Sequence, residues 1–211
     1  MISYDILAYF LGINALIYIA FNLPLEIVAY KDKESNQKED SGKYDIWENR
    51  KKFVTITIFA SFYFWTFFIL WPVYHIVAPS DLLSSWTFDL PYPSSWQYIG
   101  IFLIGTATIT EILGRIGRGR SAISWGVPSK LKTGYGHRIV RHPLYASYIY
   151  YFIGIQLAFQ NLLLLPMLLG ILGYYSITKY EESILEYEFE DEFRDYQKEV
   201  GMLVPFLGKR N

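Results

Sequence analysis

Two short segments gather the residue types that can do chemistry in this chain. Residues 133–145 read TGYGHRIVRHPLY, and residues 179–182 read KYEE. Gly134 and Gly136 have no Cβ, so they permit tight turns and close approach of backbone to a ligand. Pro143 has a fixed φ and no amide proton, which suits the first turn of a helix. Arg141 and His142 therefore stand at the positive end of that helix. The planar fork of Arg141 can hold a carboxylate or phosphate through two parallel hydrogen bonds. Glu181 and Glu182 are adjacent carboxylates that can accept hydroxyl groups. Cation, imidazole, phenol and carboxylate meeting at one point form a functional-site pattern. Taken apart, the two segments read equally well as polar residues flanking apolar spans. The chain has no Cys, so disulfides, thiol nucleophiles and Cys-ligated metals are excluded, and no metal is expected.

The elements that position these residues are membrane helices. Of 211 residues 52% are hydrophobic and 19% aromatic, a load suited to two wide membrane–water interfaces. The 19 basic residues fall in three blocks, 31–52, 115–141 and 179–210, with seven, seven and five of them. Between the blocks lie apolar stretches at 6–29, 53–78 and 96–113, each near the ~20 residues that a spanning helix needs. Residues 143–178 contain no charge, too long a run for one span. Gln160, Asn161 and Pro166 mark a polar turn inside it, so the pattern predicts a helical hairpin, 144–159 and 162–179. An all-α bundle of about five spans results, one domain over 1–211, with three spans in 1–114 and the site in 115–205.

Charge segregation orients the bundle. The connector 79–95 carries no basic residue, while the connectors on either side carry seven each. By the positive-inside rule the N-terminus is outside and the C-terminal tail cytoplasmic. The first 30 residues have no Lys or Arg, so the first segment reads as a retained helix and not a cleaved signal. Residues 31–43 (KDKESNQKEDSGK) read as a flexible loop. In the tail, 181–200 holds nine acids and two bases, yet Leu185, Phe189, Phe193, Tyr196 and Val200 recur at helical spacing. That predicts an amphipathic helix with an acidic outer face, packed over the basic connector.

GHRIVRHPLY, then a hairpin, then EESILEYEFEDEFRDYQKEVGMLVP resembles the isoprenylcysteine carboxyl methyltransferase and phospholipid methyltransferase family over roughly residues 115–205. The resemblance implies a membrane enzyme with a pocket for S-adenosylmethionine between the last two spans. It implies that His142, Pro143, Leu144 and Tyr145 line that pocket, with Gly134 and His137 in the preceding turn. Backbone around Leu131 and Lys132 would wrap the cofactor. Glu181 would take the ribose hydroxyls or oppose the sulfonium charge, and Arg141 and Glu182 are the catalytic candidates. The acceptor would be lipophilic: a prenylcysteine-like carboxylate, a lipid amine or a small thiol, met among membrane lipids. Nucleic acid is not an expected partner. The chain departs from the family pattern at two places. His137 stands where many relatives have Tyr, and Ser176-Ile177-Thr178-Lys179 lacks the Arg that prenylcysteine enzymes carry one turn before the Glu pair.

Two other readings compete. A sterol-type reductase has a similar histidine–proline segment but binds NADPH and usually has more spans. A non-enzymatic scaffold would need no convergence of Arg141, His142 and Glu181. Binding of S-adenosylhomocysteine rather than NADPH separates them.

Overall fold

The computed structural model describes residues 1–35, 46–78, 83–118 and 130–209. Six helices carry the fold: α1 (Tyr4–Ser35), α2 (Ile46–Trp65), α3 (Trp71–Val77), α4 (Pro93–Arg118), α5 (Pro143–Phe159) and α6 (Leu169–Glu199). No β-ladder forms among the described residues, where strand pairing is limited to two isolated bridges. The protein is an all-α membrane bundle.

Four helical stretches are long and apolar enough to cross a bilayer: Tyr4–Leu25, Arg50–Val77, Pro93–Arg118 and Leu162–Glu199. The second joins α2 to α3 through a π-helical turn at Thr66–Leu70. Pro72, at the start of α3, has no amide proton to offer the preceding turn, which accommodates the register shift. The fifth expected span is α5. Its 17 residues lie at the short limit of about 17 for a spanning helix. Eleven of them are buried, so α5 is the inner staff of the bundle.

α5 packs chiefly on α4, and α6 chiefly on α2. The expected hairpin partners, α5 and α6, are therefore not each other's main neighbours. Small residues explain the first pairing. A Cβ on Gly100 would stand 2.5 Å from Ala158 N and Gly154 O, so the two backbones touch at that level. Around this seam lies an aromatic core, with Phe64, Phe68, Tyr151, Phe152 and Phe159 fully buried.

Two expectations are revised. The turn at Gln160 and Asn161 is polar but wholly buried. Gln160 adopts a left-handed conformation, φ 46°, that ends α5, and both amides hold the incoming connector. The last span and the tail are also one element: α6 runs through residue 180 and bends only at Glu190, where φ is 42° and ψ −116°. The bend, not a loop, turns the tail back over the bundle end. Most of the stretch 31–43 and the middle of the basic connector, 119–129, lie outside the described residues.

Candidate functional site

The site is assembled at the end of the bundle where α4 stops, α5 starts and α6 emerges. After Gly134 the chain makes a 3-10 turn, Tyr135–Arg138, in which the His137 N–H donates to Gly134 O at 3.1 Å. Gly136 is required there. A Cβ at that position would lie 2.7 Å from Gly114 N, in the last turns of α4. The turn is thus pressed onto α4 and delivers residues 140–142 to the start of α5.

The tail closes the site from the other side. Val140 pairs with Gly201 in a short parallel bridge. Arg141 N–H donates to Gly201 O at 2.8 Å and His142 N–H to Met202 O at 3.2 Å. The Tyr196 hydroxyl donates to His137 O, and the Tyr150 hydroxyl to Leu203 O. Leu131, near the end of the connector, packs with Leu185, Phe193 and Tyr196 of the tail.

Two carboxylates, two guanidiniums and an imidazole then meet. Arg141 Nε donates to Glu182 Oε1 at 2.6 Å, and its other two nitrogens donate to the carbonyls of Val200, Gln197 and Gly208. Its side chain is 2% exposed. Every nitrogen of that fork has a partner in the chain, so Arg141 acts as a clamp between α5, the Glu pair and the tail. His142 lies between the carboxylates, 3.7 Å from Glu181 and 3.4 Å from Glu182. Burial disfavours its charge, but the two carboxylates outweigh burial and raise its pKa. Arg118, from the last turn of α4, faces Glu181 at 3.7 Å. The Tyr145 ring stacks on His142 with centroids 5.9 Å apart.

His137 has the opposite character. Burial, reinforced by the nearby Arg118 and His142 charges, lowers its pKa to about 4. One pocket wall therefore carries a neutral imidazole, and another carries an imidazole whose protonated form the two carboxylates favour.

These groups line a small pocket that opens to solvent. Leu131, Lys132, His137, His142, Pro143, Leu144, Tyr145 and Glu181 all line it, as does Arg141. Gly134 does not; its carbonyl caps the 3-10 turn behind His137. Glu182 stands behind the wall and holds Arg141. Sequence reasoning missed Arg118, Leu185, Phe193 and Tyr196, which also line it. Among the described residues, His137 Nδ1, His142 Nε2 and Glu181 Oε2 are buried at the pocket without a hydrogen bond, the last two in ion-pair contacts of 3.4 and 3.7 Å. Such atoms are costly unless water or a ligand meets them. The arrangement can accept hydroxyls, meet both signs of charge and stack a flat ring.

No family model matches the chain, and no curated protein matches it significantly in sequence.

Proposed function

We propose that this chain is an integral membrane methyltransferase that uses S-adenosylmethionine and methylates a lipophilic acceptor. The observation that carries the reading is the convergence on one pocket of His137, His142, Tyr145 and Glu181, three of them with a buried polar atom that has no hydrogen bond among the described residues. The residues fit the ligand. The Glu181 carboxylate can accept two hydroxyls, as a ribose diol offers. The faces of Tyr145, Phe193 and Tyr196 provide aromatic surface for an adenine and for a cation.

S-adenosylmethionine, when bound, supplies an electrophilic methyl group on a sulfonium. The chain's own contribution is to position and exclude water, since an in-line displacement gains much of its rate from alignment. Glu181 is held between His142 and Arg118. Arg141 fixes the Glu pair and the tail, and so sets the pocket's shape without needing to touch a ligand. A carboxylate or thiolate acceptor needs no general base. The acceptor reaches the pocket from the bilayer, because the pocket lies at the end of helices that are apolar outside. In this reading the N-terminus is outside and the pocket and C-terminus are cytoplasmic, as the basic blocks favour.

The test is transfer of label from methyl-labelled S-adenosylmethionine into lipid-extractable products of membranes carrying the protein. Incorporation above control membranes, lost in Glu181→Gln, supports the proposal. No incorporation, together with binding of NADPH, would replace it by the reductase reading.

A further inference from the structure

Resting on that reading, we infer that Arg118 is the residue that selects ligands bearing an amino-acid carboxylate. The pocket's positive groups are not equivalent. Arg141 has every nitrogen engaged by the chain itself, with a side chain 2% exposed. His142 is flanked by two carboxylates. His137 is neutral near pH 7, its pKa lowered to about 4 by burial first and by Arg118 second. Arg118 differs. Its side chain is 23% exposed, it lines the pocket, and its Nη2 approaches Glu181 Oε1 only to 3.7 Å. At that distance the two charges attract without a short hydrogen bond, and the Tyr145 hydroxyl is the other group in reach of the guanidinium.

Position adds to this. Arg118 is the last residue of α4, a helix braced by its close contact with α5 at Gly100 and with the 3-10 turn at Gly136. Glu181 comes from α6. The two helices thus bring a guanidinium fork and a carboxylate side by side, 3.7 Å apart, in the lining of one small pocket. A ligand that carries a diol or cation at one place and a carboxylate at another can satisfy both groups. S-adenosylmethionine and S-adenosylhomocysteine have this pattern. The planar fork suits a carboxylate through two parallel hydrogen bonds, which Lys cannot reproduce. Lys132 also lines the pocket, but it is a point charge on a flexible stem in the connector and is the weaker selector.

The experiment is calorimetric titration of the full chain in detergent with S-adenosylhomocysteine and with 5′-methylthioadenosine, which keeps the nucleoside and thioether but lacks the amino-acid end. Wild type binds the first more tightly. Arg118→Gln lowers affinity for S-adenosylhomocysteine about tenfold or more, toward that for methylthioadenosine, and weakens methylthioadenosine far less. Arg118→Lys falls between, and Lys132→Gln changes either affinity less than Arg118→Gln. A thermal melt close to wild type verifies that the variants are folded. Equal weakening of both ligands by Arg118→Gln, or no weakening of either, overturns the selector role while leaving the methyltransferase reading standing. Binding of neither nucleoside by wild type overturns both.

Discussion

At the turn between α5 and α6, Gln160 and Asn161 are fully buried, and each spends its amide on the chain. Gln160 Nε2 donates to Pro93 O at 2.8 Å and its Oε1 accepts from Leu90 N–H at 3.2 Å. Asn161 Nδ2 donates to Leu83 O at 2.6 Å and its Oδ1 accepts from Leu163 N–H at 3.0 Å. At the opposite end, His137 Nδ1, His142 Nε2 and Glu181 Oε2 are buried around a pocket with no hydrogen bond among the described residues. Both ends contain polar residues next to apolar helices, which is why the sequence makes them look alike. Only one closes its hydrogen bonds internally, and the open end is where a polar ligand is worth most.

The contrast is sharpest at Arg141, which belongs to the pocket end but behaves like the closed one. Arg141→Ala leaves Glu182 buried without its cation and unlatches the tail, so a loss of about 3–5 kcal/mol is expected. Chemical denaturation in detergent measures it; a loss under 1 kcal/mol would mean that the clamp is not structural. Asn161→Leu, at the closed end, strands Leu83 O and Leu163 N–H at about 1–3 kcal/mol each. Stability should fall by that order while nucleoside affinity stays put, and an affinity change would deny that the two ends are separable. Glu181→Gln should do the reverse: a melting temperature near wild type, but S-adenosylhomocysteine affinity down at least about tenfold, ~1.4 kcal/mol. Glu190→Gln, exposed at the bend, serves as its control.

The smallest effect concerns pH. His142 has a raised folded pKa, so its stabilising contribution is present below the unfolded value near 6.5 and is lost as pH rises through the folded value. His137, lowered to about 4, contributes above 6.5 and loses that contribution as pH falls toward 4. Melting temperatures from pH 4 to 8 should therefore show His142→Gln flattening the alkaline fall and His137→Gln the acid one. The opposite assignment would contradict the two environments described for the imidazoles.

Much of the site was legible because it is nearly contiguous. Arg141, His142, Pro143, Leu144 and Tyr145 form one run, and a charge-free stretch of hairpin length sets Glu181 and Glu182 beside it. The rest depended on features without a sequence mark. Leu185, Phe193 and Tyr196 were visible as an apolar stripe, but only the bend at Glu190 turns that stripe into a pocket wall, and glutamate is not a residue that advertises a positive φ. Arg118 was hidden by its company, since in a block of seven bases each one reads as a topology signal. Arg141 was read as a ligand-facing fork because its partners Gln197, Val200 and Gly208 lie more than 50 residues away. The fold followed from apolar run lengths, whereas the pairing of α5 with α4 came from small residues whose meeting no periodicity announces.

The most direct test of the central claim is a titration of the purified, folded chain with S-adenosylhomocysteine and, separately, with NADPH. Saturable heat is expected with S-adenosylhomocysteine, strongly weakened in Glu181→Gln, and none with NADPH. Saturable binding of NADPH, or S-adenosylhomocysteine binding indifferent to Glu181→Gln, would contradict that claim.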